Sequence, residues 1–311
     1  MAEVVFSQQT LATLEGKVVV LTGGAQGVGA ATVRMACEAG AHVFFGDWAD
    51  DKGRDVEAAL KKTSAGGKGS ANFQKVDVRE YASQLALFDA AYRAHGRVDV
   101  AISCAAVGEP AGFFEPASLD LQSIREEPRA LTANLDINVT SVLLFSRIAL
   151  AYITASKSSS SSSSSSFSPS IVLVSSIAGI TEAPGLFAYS TAKHGVIGLM
   201  RALRPVAPLR YGVRVNAICP WATDTQLLAG VKDRWVAEKL PLNQPVDVAQ
   251  MILQCAADPS LNGKSVFVAG GRGYDTEEGY DKTQGQWMGE KLAEEWNRGQ
   301  RVLGMGDGWT D

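Results

Sequence analysis

The chain has 311 residues and a net charge of -4, from 29 basic and 33 acidic side chains. That is room for one large domain or two small ones, with no positive excess to draw it to nucleic acid or an anionic membrane. Hydrophobic residues at 46% and charged residues at 20% exclude wholesale disorder and collagen-like or coiled-coil repeats.

Four scattered cysteines (Cys37, Cys104, Cys219, Cys255) and three unclustered histidines (His42, His95, His194) suggest neither a disulfide scaffold nor a zinc site. The first residues lack a basic region followed by an apolar run. The longest apolar stretch, Val142 to Ile153, is interrupted by Arg147, so a cytoplasmic, reduced protein with no membrane partner is expected.

In chain order, residues 1–13 read as an N-terminal extension, and apolar runs of strand length then alternate with helix-length stretches. The strands are expected at Lys17–Thr22, Ala41–Asp47, Phe73–Val78, Val98–Cys104, Ile171–Ser175, Val213–Ile218 and Ser265–Ala269. Several are apolar nearly throughout, as strands covered on both faces must be. Helices are expected near Gly27–Ala39, Arg79–His95, Leu131–Ser156, Phe187–Leu203 and Asp247–Asp258. The pattern predicts an α/β domain over 14–271 with a doubly wound parallel sheet of about seven strands.

Two segments stand outside that pattern. Ser156–Ser170 contains an unbroken run of serines, Ser158 to Ser166, which cannot bury apolar area and reads as a solvated loop, either a tolerated insertion or a phosphorylated tract. The tail, 272–311, is acidic. In it Met288, Leu292 and Trp296 fall at i, i+4 and i+8, the spacing of a helix that docks one apolar stripe.

The chemistry begins after the first of these strands, where Thr22-Gly23-Gly24-Ala25-Gln26-Gly27-Val28-Gly29 opens a helix. A glycine-rich turn there lets backbone N–H groups approach a pyrophosphate, although it is also compatible with a plain tight turn. Asp47 ends the next strand 18 residues past Gly29, where a carboxylate can accept from an adenosine ribose and repel a 2′-phosphate. Neither Gln26 nor Trp48 supplies a compensating cation, which favours NAD over NADP. Tyr189 and Lys193, four residues apart, share a helical face, and Ser176 lies 13 residues before Tyr189 at the carboxyl edge of the sheet.

Taken together these motifs resemble the short-chain dehydrogenase/reductase family in its single-domain, Rossmann-like branch, from Leu14 to Gly271. On that resemblance Asp77-Val78 matches the pair that meets adenine. Asn138, Ser176, Tyr189 and Lys193 match the catalytic set, and Arg214 to Pro220 the segment before the nicotinamide amide site, with Thr225 in the usual threonine position. The resemblance implies cofactor contacts at Thr22, Gly23, Gln26, Gly27, Val28, Gly29, Asp47, Trp48, Asp77, Val78, Cys104, Ala105, Ala106, Tyr189, Lys193, Pro220 and Thr225, and no metal.

Two departures stand out. Ser103-Cys104-Ala105-Ala106 replaces the usual N-N-A-G, which puts the side-chain anchoring of the central sheet in question. Pro220-Trp221 replaces P-G and sets a bulky ring beside the nicotinamide pocket.

The implied reaction is NAD-dependent oxidation of a secondary alcohol, or the reverse. Tyr189 acts as the base, Ser176 binds the substrate oxygen, Lys193 grips the nicotinamide ribose, and Asn138 holds a water that passes protons to Lys193. Bringing a phenol from its ordinary value near 10 to neutrality takes roughly 4 kcal/mol, for which Lys193 and the oxidised nicotinamide are the available positive charges.

Trp221, Leu227, Leu228 and Trp235, with Phe113, Phe114, Leu186 and Phe187 opposite, suggest a bulky lipophilic metabolite of steroid, terpenoid, polyketide or fatty-acid type, or else are ordinary core residues. A silent nucleotide-binding scaffold and a non-redox isomerase or cyclase are the alternatives. Ser176 has no motif-placed histidine, which argues against a hydrolase, and Cys104 reads as a small packing residue. By the same resemblance the two central helices mediate a homodimer or homotetramer, with Pro205 and Pro208 expected to end or kink the second one early.

Overall fold

Every position of β2 (Val18–Thr22) is buried, and its neighbours show why the sheet forms around it. In the computed structural model, which describes residues 2–63, 68–159 and 167–304, β2 pairs in parallel with both β3 (His42–Asp47) and β5 (Val100–Ser103). Outward from β3 lies β4 (Ser70–Lys75). Outward from β5 lie β6 (Ser170–Val174), β7 (Arg214–Pro220) and β8 (Ser265–Ala269), all parallel. The chain order reverses between β2 and β5, so a crevice opens at the carboxyl ends of the two strands, where open α/β sheets bind ligands.

The parallel core has the expected seven strands, and two short antiparallel strands extend it to nine. β9 (Arg272–Asp275) folds back on β8 through Gly270 and Gly271, both at positive φ, as a two-residue hairpin turn requires. β1 (Ala2–Val4) then pairs with β9. The N-terminal extension and the start of the tail are therefore integral to the sheet. Their runs were too short to be read as strands.

Two helical layers cover the sheet. One core joins α1 (Gln8–Ala12), α2 (Gly27–Glu38), α3 (Asp50–Thr63) and α9 (Pro245–Ala257) to the sheet through Val33, Val56, Leu60, Val248 and Ile252. The other joins α4 (Tyr81–His95), α6 (Ser141–Ser159) and α7 (Phe187–Tyr211) through Phe88, Phe145, Ile153, Val196 and Met200. The segment 129–156 is long and apolar enough to cross a bilayer by length and composition, but here the apolar side of α6 lies on the sheet.

Several expectations need correction. α3 was not foreseen, because its sequence is mostly charged and only Val56 and Leu60 reach the core. The strand expected at Phe73–Val78 runs instead from Ser70 to Lys75; Val76 still donates its N–H to Asp47 O at 2.9 Å, and Val76 and Val78 are buried in the loop beyond the strand. The helix expected over Leu131–Ser156 comprises α5 (Arg129–Leu135), a five-residue π-helical turn at Asp136–Thr140, and α6. α6 carries the first serines of the tract to Ser159, and Ser160 to Ser166 lie outside the described residues.

Pro205 and Pro208 do not end α7, which continues to Tyr211. Pro208 removes the N–H that would bond the Arg204 carbonyl, and Asn262 Nδ2 donates to that oxygen instead at 3.1 Å. Gly212, in the left-handed region, closes the helix.

The tail helices are α10 (Thr276–Met288) and α11 (Glu290–Leu303), and Gly289 between them interrupts the expected apolar stripe. Leu292 and Trp296 remain 53% and 50% exposed. The tail is anchored through charge. Glu277, buried at 2% exposure, accepts both Nε and Nη2 of Arg201 at 2.9 Å and Nη1 of Arg204 at 2.9 Å, while Asp275 pairs with Lys264 at 2.7 Å. Glu277→Ala should therefore cost about 2 kcal/mol by stranding two guanidinium partners. Trp296→Ala should cost under about 1 kcal/mol. Urea unfolding of the two variants checks the ranking, and a larger loss from Trp296→Ala would restore the apolar docking.

Candidate active site

The turn between β2 and α2 can pack this tightly on itself and on the loop after β5 only because Gly23 and Gly29 lack side chains. A Cβ on Gly29 would lie 1.8 Å from the Gly23 carbonyl oxygen, and one on Gly23 would lie 2.5 Å from Ala105 N. Gln26, the residue before α2, makes no side-chain cap to the helix, so the first N–H groups of α2 are left to a ligand. Thr225 closes the groove from above, its Cγ2 3.2 Å from where a Gly27 Cβ would stand. Thr22 is buried beneath the turn and Val28 is partly buried. This cradle of glycines and uncapped N–H groups fits a dinucleotide pyrophosphate.

At the far end of the groove the Asp47 carboxylate accepts from Ala25 N at 3.0 Å and Ala49 N at 2.9 Å, which fixes it at the rim of the glycine turn. The absence of nearby cations inferred from Gln26 and Trp48 is corrected by the fold. Lys52 Nζ donates to Gln26 Oε1 at 2.7 Å, and Lys75 and Arg79 lie over the Trp48 ring at 5.0 and 5.9 Å from its centroid. Lys75 and Arg79 are distant from Gln26 and Trp48 in sequence, so no local pattern announced them, whereas Lys52 lies only four residues past Trp48. The Trp48 ring is 63% exposed. Asp77 grips Arg79 in a fork, at 2.9 Å from Nε and 2.6 Å from Nη2, and this pairing holds its carboxyl below the ordinary value. Val78 is buried beside it.

The reactive side chains meet where β6 ends and α7 begins. Lys193 is 1% exposed and donates from Nζ to the Val174 carbonyl at 3.1 Å; burial lowers its pKa to about 8. Its Nζ sits 5.5 Å from the centroid of the Tyr189 ring. Ser176 is close enough to the Tyr189 phenol to pull its pKa down, yet burial prevails and pushes it above the ordinary value. Lys193 does not offset that burial, so the expected lowering is not a property of the chain alone. The Ser176 Oγ also accepts from Ala178 N at 3.2 Å, which fixes its rotamer.

Asn138 is fully buried in the π-helical turn. Its Oδ1 accepts from Val107 N at 3.0 Å, and its Nδ2 donates to Val107 O and to Asn134 Oδ1, each at 3.0 Å. Both polar atoms of the side chain are thus engaged, and the side chain acts as a clamp on the loop after β5.

In the same loop Cys104 N donates to Thr22 O at 3.1 Å, so the backbone joins the two central strands without the usual asparagines. Burial pushes the Cys104 thiol up to about 12, which makes it an inert packing group. Ala105 packs on Gly23, and Ala106 follows it at the lip of the groove.

Pro220 ends β7, and the Trp221 ring packs edge-on to Trp235 at 5.0 Å and near Phe267 at 6.1 Å. These contacts brace the segment 221–241, the lid that by resemblance closes over the substrate, where the sequence suggested a ring intruding beside the nicotinamide. Trp235 Nε1 donates to Pro241 O at 2.9 Å. Opposite, Phe114 contacts both Phe113 and Phe187 at 4.6 and 4.7 Å, and Leu186, Phe187 and Leu227 are left exposed at the mouth of the cleft. Leu228 is partly buried in the lid.

Glu109 and Asn134 escaped the sequence analysis. The Glu109 carboxylate accepts from Ala188 N and Tyr189 N, and Asn134 Nδ2 donates to Gly108 O at 2.7 Å. The i, i+4 spacing of Asn134 and Asn138 was the one available signal; a lone glutamate in a loop gave none.

A sequence model of the short chain dehydrogenase family matches residues 17–234. The chain is 31% identical over 298 residues to 5'-hydroxyaverantin dehydrogenase of Dothistroma septosporum, covering 91% of this chain and 92% of that one. It is 34% identical over 263 residues to cis-4-hydroxycyclohexanecarboxylate dehydrogenase of Sinomonas cyclohexanicum, covering 82% and 96%. The fold is similar to a short-chain type dehydrogenase/reductase from Mycobacterium ulcerans, with a TM-score of 0.70 at 23% identity over 83% of this chain and 90% of that one.

Burial of the Lys193 ammonium has a measurable consequence. Its folded pKa of about 8 lies below the ordinary 10.5, so between these values the unfolded chain binds the extra proton and stability rises with pH. At pH 7 both states are protonated and the full penalty of the buried charge is present. Lys193→Met should therefore be more stable than the parent at pH 7 by up to about 3 kcal/mol, with the gap closing as pH rises from 8 toward 10.5. Denaturant unfolding of both proteins across that range checks it; a gap that widens with pH would contradict the buried charge.

Proposed function

The chain belongs to the short-chain dehydrogenase family, and from that premise we propose that it is an NAD-dependent enzyme interconverting a secondary alcohol and its ketone on a bulky lipophilic metabolite. The observation that carries this reading is the meeting of Ser176 and Tyr189 with the buried Lys193 at the carboxyl end of the sheet, beside the uncapped start of α2.

Each residue has a task set by its surroundings. Ser176, held by Ala178 N beside the phenol, orients the substrate oxygen against Tyr189. Tyr189 removes the alcohol proton during oxidation and returns it during reduction. The glycine turn and the uncapped start of α2 would hold NAD, which would supply the hydride acceptor and one positive charge to the site. Lys193 remains mostly protonated at neutral pH, with its ordinary charge only partly suppressed by burial. Asn138 keeps the loop after β5 in place through Val107.

Asp47 supports NAD over NADP, since two backbone N–H groups hold its carboxylate where a 2′-phosphate would lie. Lys52 on Gln26 and Lys75 and Arg79 on Trp48 are the cations at these two side chains, and Arg79 is already committed to Asp77.

The exposed aromatic and aliphatic rim supports the lipophilic substrate, and the two relatives described above are named for hydroxylated compounds. The groove between α6 and α7, lined by Leu143, Leu150, Leu199, Leu203 and Tyr211, supports a homodimer or homotetramer. Four free cysteines suit the reducing cytoplasm in which we place the protein.

The test is turnover of a panel of lipophilic secondary alcohols, followed through the absorbance of the reduced nicotinamide. Oxidation with NAD should exceed that with NADP, and Asp47→Ala should narrow the difference. Tyr189→Phe should lower kcat by about 10³-fold, with NAD affinity changed less than about twofold. Near-normal turnover in Tyr189→Phe would contradict the mechanism and favour a non-redox activity. Absence of turnover together with tight NAD binding would favour a scaffold.

A further inference from the structure

The loop after β5 carries an acidic side chain to which the reaction above gives no task. Glu109 Oε1 accepts from Ala188 N at 3.1 Å, and Oε2 from Tyr189 N at 2.7 Å. These N–H groups lie in the first turn of α7, where a helix has no internal acceptors for them. Leu186, the residue preceding α7, offers no side-chain cap. Glu109 therefore caps the helix from 80 residues away in the chain, with a charge whose sign complements the helix N-terminus.

The other side of the same loop is fixed as firmly. Asn138 clamps Val107 through both its N–H and its carbonyl, Asn134 donates to Gly108 O, and the two asparagines bond each other. Three consecutive residues, Val107, Gly108 and Glu109, thus join the π-helical turn to the backbone of Tyr189. The loop also meets the lid, because a Cβ on Gly108 would lie 3.3 Å from Leu227 Cδ2.

We propose that Glu109 is a positioning residue for the reaction, holding the first turn of α7 so that the Tyr189 phenol stays in register with Ser176 and the substrate cleft. The proposal rests on the reading of Tyr189 as the proton-transfer group. Its effect should be confined to one end of the site. Tyr189 sits in the turn that Glu109 caps, whereas Lys193 is one turn further along, buried, and tied to Val174 O. Loss of the cap should displace the phenol and leave the lysine in place. A displacement of about 1 Å at a reacting group costs on the order of 10²-fold in rate.

The experiment compares Glu109→Ala, Glu109→Gln and Tyr189→Phe as full-length proteins, measuring kcat and KM on a secondary alcohol the parent oxidises, and NAD affinity by quenching of tryptophan fluorescence. Glu109→Ala should lower kcat by about 10- to 100-fold, with KM and NAD affinity moving far less. Glu109→Gln, which keeps a carbonyl oxygen to accept one of the two N–H groups, should recover a substantial part of that loss.

If Glu109→Ala does not fold, Glu109→Gln decides alone. A several-fold drop in kcat at unchanged NAD affinity supports the proposal, and parental kcat overturns it. Parental kcat in Glu109→Ala, or a loss of NAD affinity as large as the loss of kcat, also overturns it while Tyr189→Phe stays inactive. Activity retained in Tyr189→Phe removes instead the reading on which the proposal stands.

Discussion

Lys193 is an ammonium group buried to 1% exposure whose hydrogen bond goes to a neutral backbone carbonyl. Desolvation opposes such a charge strongly, and the drop of its pKa to about 8 records that opposition. The lysine keeps most of its charge at neutral pH because that lowered value still lies above 7. The same burial acts on Tyr189 in the other direction, keeping the phenol neutral in the chain alone. Fold stability and proton transfer thus pull on one pair of residues four positions apart, and the rest of the site is arranged to hold that pair still.

The restraint comes from three directions. The carbonyl end of β6 supplies Val174 O for Lys193 and places Ser176 against Tyr189. The π-helical turn between α5 and α6 directs Asn138, and the end of α5 directs Asn134, at the loop after β5. That loop in turn caps α7 through Glu109. At the opposite end α7 is fixed by Arg201 and Arg204 on the buried Glu277, which brings the acidic tail into the support of the catalytic helix.

What the sequence made legible follows the range of the interactions involved. Most of the parallel strands could be read because they are short apolar runs covered on both faces, and the glycine turn and the Tyr189–Lys193 pair because their spacing is local. α3 was hidden by its charge, and β4 was displaced by buried valines in the next loop. β1 and β9 are too short to carry a period. Survival of α7 past Pro208 depends on Asn262, more than fifty residues distant, and the cap on Tyr189 depends on Glu109. No window along the chain contains both partners of such contacts, so they appear only once the fold is built.

The central claim is that burial keeps Tyr189 neutral until a further positive charge reaches it, and that Lys193 alone does not ionise it. The direct measurement is a spectrophotometric titration of tyrosinate in the parent and in Tyr189→Phe, with the difference assigned to Tyr189, carried out with and without NAD. The account predicts that in the protein alone this phenol ionises above the ordinary tyrosine value, and that NAD moves it well down. Ionisation near neutrality in the protein alone would contradict it.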